Sequence, residues 1–208
     1  MKLSEIRSLA RSILSDVPAA AQNPTTFSDA DVVLAINQAI ADYCVKTRAT
    51  VTEVSNSFAT TGLSTAITDS LAFLEVVGLD QTEVEFENRK SSTWRTATPG
   101  TPRRWLPWTG TVLRCIPAPT GATSLTIRYI QKPVDLITVT DDNNSPDARI
   151  PVTHHDALAY GAVAMLLLFD TDAQDYSVSH EMMSMFDYKI GVGPEPARAR
   201  AAMEAARA

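Results

Sequence analysis

The chain has 208 residues, of which 45% are hydrophobic and 20% charged; that make-up excludes a disordered polymer, a collagen-like repeat or a coiled-coil rod. Its formal net charge is -6, the wrong sign for a protein whose main task is gripping phosphates, while an acidic surface lets DNA pass without sticking. The two cysteines, Cys44 and Cys115, belong to no C-x-x-C or Cys/His pattern, so they are expected as reduced thiols made in a reducing cytoplasm.

Met1 to Asp16 sets Leu3, Ile6, Leu9 (or Ala10) and Ile13 at helical spacing and predicts a first amphipathic helix. The segment is charged and lacks the continuous apolar stretch of a signal peptide. Pro18 and Pro24 break it. "FSDADVVLAINQAIADYCVKT" then predicts a second helix. Ser28 is its N-cap, Asp29 and Asp31 sit near the positive end of the dipole, and Phe27 is placed to staple onto Val32 or Val33. Val33, Ile36, Ile40 and Tyr43 with Cys44 form its apolar stripe.

From Thr50 to Thr140 the texture changes to Thr, Ser, Val and aromatic residues in short runs broken by Gly and Pro. "TVTEVSNSF", "AITDSLAFLEVVGLD" and "TEVEFENRK" read as strands, the last placing Val84 and Phe86 on one side. Val112–Ile116 and Leu125–Ile130 flank a turn holding Pro117, Pro119 and Gly121, which predicts a long-looped hairpin. Pro133 stops its second strand.

"TVTDDNNSPDAR" is a polar loop without the frame or closing Glu of a calcium site. A third helix is expected from Thr153 to about Asp170. Its run from Ala157 to Phe169 is uncharged, yet shorter than the ~20 residues that span a bilayer. Small residues alternate with large ones there, so the helix is apolar all round and needs cover on every side, from its own bundle or from a neighbouring subunit. A fourth helix, about Asp172 to Ile190, sets Tyr176, His180 (or Ser179), Met183, Phe186 and Ile190 on one face, with Gly191 at the C′ position. The tail "EPARARAAMEAARA" has helix propensity and almost no apolar stripe.

These elements define an α+β protein. A bundle of about four helices comes from residues 1–49 and 150–192, an antiparallel β-rich subdomain is inserted over 50–149, and 193–208 form a flexible C-terminal tail. There is no G-x-G-x-x-G or Walker A sequence, and no G-x-S-x-G.

Two stretches carry candidate chemistry. His154, His155 and Asp156 raise a metal-dependent hydrolase, but adjacent histidines point about 100° apart on a helix. Thr153-x-x-Asp156 instead fits a capping box at the helix start. The second stretch, "RKSSTWRTATPGTPRRWLPW", interleaves Trp94, Trp105 and Trp108 with Arg103, Arg104 and other basic residues. That mixture suits a protein interface, an ordinary strand surface, or a platform for single-stranded nucleic acid in a small binding module.

Three phrases in order resemble a known family. "FSDADVVLAINQAIADYC" is similar to the early helix of tailed-phage adaptors. "GTPRRWLPWTGTVLRCIPAPTGATSLTIRYIQKP" resembles their middle phrase through Gly100, Pro102, Trp105, Pro117, Pro119, Tyr129 and Pro133. "RIPVTHHDALAYGAVAMLLLF" is similar to the third. Together they resemble the head-to-tail connector adaptors related to tail tubular protein A, over roughly residues 1–190. The stretch from Ala59 to Lys90 departs from the pattern.

The resemblance implies a non-enzymatic virion protein without a cofactor, in the neck between capsid and tail. It would form a ring, twelvefold in the family, under the portal protein and above a downstream tail or neck protein, with genomic DNA passing through the lumen and no membrane involved. Portal contact would fall to the tail through Arg198, Arg200, Met203 and Arg207. Ring contacts would involve Tyr160 and Met165, and a lateral or distal interface Trp94, Arg103, Arg104 and Trp105.

Overall fold

A computed structural model describes residues 1–16, 27–58, 64–77, 85–86, 100–107, 111–120, 123–133, 145–169 and 173–194. The fold is α+β. The chain divides into two compact units, Met1–Ala49 with Pro133–Ala208, and Thr50–Lys132.

The helical unit is built on α1 (Leu3–Asp16), α2 (Asp29–Thr47), α3 (His155–Phe169) and α4 (Ala173–Lys189). α3 packs against α1, α2 and α4, and Ala157, Leu158, Ala159, Ala162, Val163 and Ala164 are fully buried on it. Its small residues let neighbours approach closely. A Cβ on Gly161 would stand 3.0 Å from the Ala39 Cβ and 3.1 Å from the Phe186 ring, so a larger residue would require α2 or α4 to give by a few tenths of an ångström at that level.

The buried stripe of α1 is Leu3, Ile6, Ala10 and Leu14. It takes in Ala10, the alternative to Leu9, and has Leu14 in place of the expected Ile13; Leu9 and Ile13 are half-buried. α2 carries the expected stripe, with Val33, Ile36, Ile40, Tyr43 and Cys44 all buried. Its start is a full capping box. The Asp31 amide donates to the Ser28 hydroxyl at 3.2 Å, and the Ser28 amide donates to the Asp31 carboxylate at 2.8 Å. At its other end Arg48 adopts a left-handed backbone with φ 56°, a conformation that costs a side-chain-bearing residue about 1–2 kcal/mol.

α4 buries Ser179, Met182, Phe186 and Ile190. Ser179, the alternative to His180 on the expected face, is buried, whereas Tyr176 and His180 point outward, Tyr176 being 56% exposed. Ser179 explains the turn of the helix, because its hydroxyl donates to the Ala164 carbonyl at 2.8 Å inside the α3–α4 contact. The helix ends where Gly191 takes φ +76° and the amides of Val192 and Gly193 both donate to the Asp187 carbonyl. Gly193 therefore belongs to the cap of α4, inside the 193–208 segment expected as tail.

The second unit holds two sheets. β1 (Val51–Phe58), β7 (Thr123–Gln131) and β3 (Ser70–Val77) form one, in the order β1-β7-β3. β2 (Ser64–Ala66), β6 (Val112–Ile116), β5 (Arg104–Pro107) and β4 (Glu85–Phe86) form the other, with all pairs antiparallel except β4 with β5. The expected β6–β7 hairpin is thus replaced by a crossing between sheets. Pro117 and Pro119 lack the amides that a continuing ladder needs, and the chain passes to the other layer. β6 and β7 then meet through side chains: Leu113 and Cys115 share a core with Leu125, Ile127 and Tyr129. Of the strand expected in "TEVEFENRK", only Glu85–Phe86 falls within the described residues.

The unit is clasped where the chain enters and leaves it. The Gln131 amide donates to the Thr50 carbonyl at 3.0 Å, and the Thr50 hydroxyl donates to the Gln131 carbonyl at 2.7 Å. Pro133 groups with the helices, so the β unit closes at Lys132 and not at 149.

Two substitutions test the helix ends. Ser28→Ala removes the capping box and is expected to cost about 1 kcal/mol, read as a lower urea midpoint. Arg48→Gly relieves the left-handed backbone and should raise stability by up to about 1 kcal/mol. An unchanged or lowered midpoint for Arg48→Gly contradicts that account.

Candidate functional site

The His-His-Asp triplet is dispersed by the fold. Val152–His154 form a single 3-10 turn with no side-chain cap, α3 starts only at His155, and Thr153 is exposed. The expected Thr153–Asp156 capping box is therefore absent. Pro151 starts the turn with an extended ψ of 139°, which moves the helix start past the threonine.

Each member of the triplet has a structural partner. His154 Nδ1 and the Tyr43 hydroxyl are hydrogen-bonded at 2.8 Å, their rings 5.7 Å apart. Burial pushes the Tyr43 phenol above its ordinary pKa. His155 is 4% exposed. Its Nε2 lies 3.2 Å from the Ile150 carbonyl and its Nδ1 3.0 Å from the Met1 nitrogen. Asp156 pairs with Lys189 of α4. Among the described residues no group of three or more His, Cys, Asp or Glu is arranged to hold a metal ion. Cys44 and Cys115 are free and buried, and burial alone pushes the Cys115 thiol up to about 12, leaving it protonated.

Two lysines tie α4 to its neighbours. Lys46 of α2 bonds Asp187 at 2.6 Å and Asp42 at 3.0 Å, with its ammonium 5.1 Å from the centre of the Phe186 ring. Burial opposes its charge, but the two carboxylates outweigh burial and hold it above its ordinary pKa. Lys189 stands 5.2 Å from the centre of the Tyr160 ring. Tyr160, expected at a ring contact, is thus half-buried under α4.

Met165, the other expected ring contact, lies elsewhere. It lines an open groove of about 640 Å³ with Phe27, Asp31, Leu34, Ala35, Gln38 and Leu166. Leu34, on the lining, is 67% exposed, and Leu168, at the end of α3, is 44% exposed. Tyr160 and Met165 are five positions apart and face different directions on α3. Leu34 escaped the sequence reading because it falls off the α2 stripe. An apolar residue off a helix's buried stripe was itself the available signal.

In the β unit Arg103 and Arg104 are exposed, but Trp105 is 4% exposed. Its indole packs with Ile67, Val76 and Leu113 in the core between the sheets, so it offers no free surface. β5 alternates, and an outward Arg104 forces an inward Trp105. On the opposite sheet Arg128 bridges Glu53 at 2.9 Å and Glu75 at 2.7 Å in register across β1, β7 and β3. Trp94 and the tail residues Arg198, Arg200, Met203 and Arg207 lie outside the described residues.

The helical unit thus combines partnered His154 and His155 with an exposed apolar groove. The chain matches the model of the SU10 adaptor protein family over residues 1–207. It belongs to that family, and its role is that of a structural phage adaptor. No curated protein sequence matches it. No helix among the described residues is long and apolar enough to cross a membrane.

Acid should weaken the helical unit through its ion pairs. Arg11, bonded at 2.8 Å, holds the Asp29 carboxyl below its ordinary pKa, and Arg149 does the same to Asp147. A carboxyl depressed in the folded state stabilises it above the unfolded pKa, about 4, and that contribution is lost as pH falls through the folded value. Urea midpoints measured from pH 6 downward should drop below about pH 4, and Asp29→Asn should flatten part of that drop. A variant with the same acid profile as the parent counts against the assignment.

Proposed function

We propose that the protein is a head-to-tail adaptor that joins capsid to tail by forming a ring under the portal protein, meeting a downstream tail or neck protein on its other side and leaving a channel for genomic DNA. The observation that carries this reading is the exposed apolar groove beside Leu34 on a helical unit whose central helix is otherwise covered, in a chain of the SU10 adaptor protein family. Apolar surface of that kind marks association sites. Twelve copies is the ring number that the sequence resemblance implies. The net charge of -6 supports a lumen that does not hold DNA.

The division of labour is as follows. The tail, with Arg198, Arg200, Met203 and Arg207, reaches the portal. Met165 and Tyr160 belong to the ring-forming unit. Arg103 and Arg104, with Trp94, serve the lateral or distal contact, and Trp105 supports them from within the β core. No chemistry is assigned to His154, His155 or Asp156.

Deletion of residues 195–208 keeps the α4 cap through Gly193 and Pro194. The truncated protein should show the parent's circular dichroism and melting temperature, yet fail to co-sediment with portal particles. Truncated protein that still docks removes the tail from the portal contact.

A further inference from the structure

The end of β7 is tied off by more than the Thr50 pair. Asp69, in the turn between β2 and β3, holds the last residues of the unit from the other side. Its carboxylate accepts from the Gln131 side-chain amide at 2.9 Å and from the Tyr129 hydroxyl at 3.2 Å, and its carbonyl accepts from the Lys132 amide at 2.6 Å. Burial, with the Asp69 charge beside it, pushes the Tyr129 phenol above its ordinary pKa, so it stays a donor. Gln131 and Lys132 are thus gripped from the β1 side by Thr50 and from the β3 side by Asp69, directly before Pro133, which groups with the helices.

Two features set this end apart from the rest of the sheet. The β3–β7 register shifts between Ser70 and Ala72, so the Ser70–Gln131 pair lies beyond an irregularity in the ladder. Such a break uncouples the end pair from Ile130 and the strand behind it. The second feature is a cost. Ser70 is 6% exposed, and its hydroxyl meets no hydrogen-bond partner among the described residues. A buried orphan hydroxyl favours any arrangement that returns it to water. The grip of Asp69 therefore works against a built-in tendency to open.

We infer that Asp69 is a latch on the exit of the β unit, and that Gln131 and Lys132 open locally as a two-residue strap when it lets go. Closed, the last fixed residue is Lys132, and Pro133 follows without slack. Open, the last fixed residue is Ile130, and the strap lengthens the chain leading to the helices by up to about 7 Å. The strands behind the irregularity keep their ladder in both states. This goes beyond the ring proposed above and does not depend on it.

Residue-resolved amide hydrogen exchange on the full-length protein tests the latch, because exchange reads local opening. In Asp69→Ala the amides of Gln131 and Lys132 should exchange about tenfold faster or more, while those of Leu125 and Ile127 keep the parent's rate. Ser70→Ala, which removes the orphan hydroxyl, should slow the same two amides by about three- to tenfold. Asp69→Asn keeps the shape of the turn and gives the reading if the alanine variant does not fold, with a smaller rise at the same two amides. Acceleration spread evenly along β7 makes Asp69 a general stabiliser of the sheet and overturns the latch, as does an unchanged rate at Gln131 and Lys132. Ser70→Ala that leaves the two amides unchanged, or speeds them, overturns the tendency to open.

Discussion

The helical unit is organised by the demand of α3 for cover. A helix with no polar side from Ala157 to Phe169 cannot face water along any stripe, and three other helices are arranged around it. Gly161 favours the arrangement, since α2 and α4 converge where a side chain would crowd Ala39 and Phe186. The convergence is then secured at its rim by charge. Lys46 and Lys189 each join a carboxylate on another helix and lie over an aromatic ring, so their stems cover apolar surface while their heads stay paired. Among the described residues cover thins towards the C-terminal end of α3, where Leu168 is exposed and Met165 lines the groove.

Much of this was legible from residue spacing. The second helix, its Ser28 cap and its stripe followed from local rules that tertiary packing did not override, because cap and stripe agreed on one face. α4 was harder. Its spacing left the face open between His180 and Ser179, with Tyr176, Met183 and Phe186 as the large residues. The buried Ser179, hydrogen-bonded to the backbone of α3, decides it. A serine that satisfies itself on a neighbour's carbonyl stands out little in a hydropathy pattern, which is why the choice stayed open.

The β region shows a different limit. Strands were readable from alternation, but partners were not, since β6 and β7 have the pattern of a hairpin and lie in different sheets. The same core could be formed by side chains meeting across layers or along one layer, and only the prolines in the connection told against the latter. Trp105 fell to the same ambiguity. A tryptophan beside two arginines resembles an interface, yet in a strand its neighbour's exposure dictates its burial. The histidines illustrate the reverse case. Their adjacency argued correctly against sharing one helical face, but their partners, Tyr43 and the Ile150 carbonyl, come from contacts no short motif encodes.

The clasp between Thr50 and Gln131 has a wider consequence. Because the chain enters and leaves the β unit through residues bonded to each other, that unit is topologically a cassette. Its strands can lengthen, change loops or be exchanged for another β module without altering the path of the helices, provided the two ends remain within one hydrogen bond. Such a joint lets the helical and β parts of the chain diversify at separate rates.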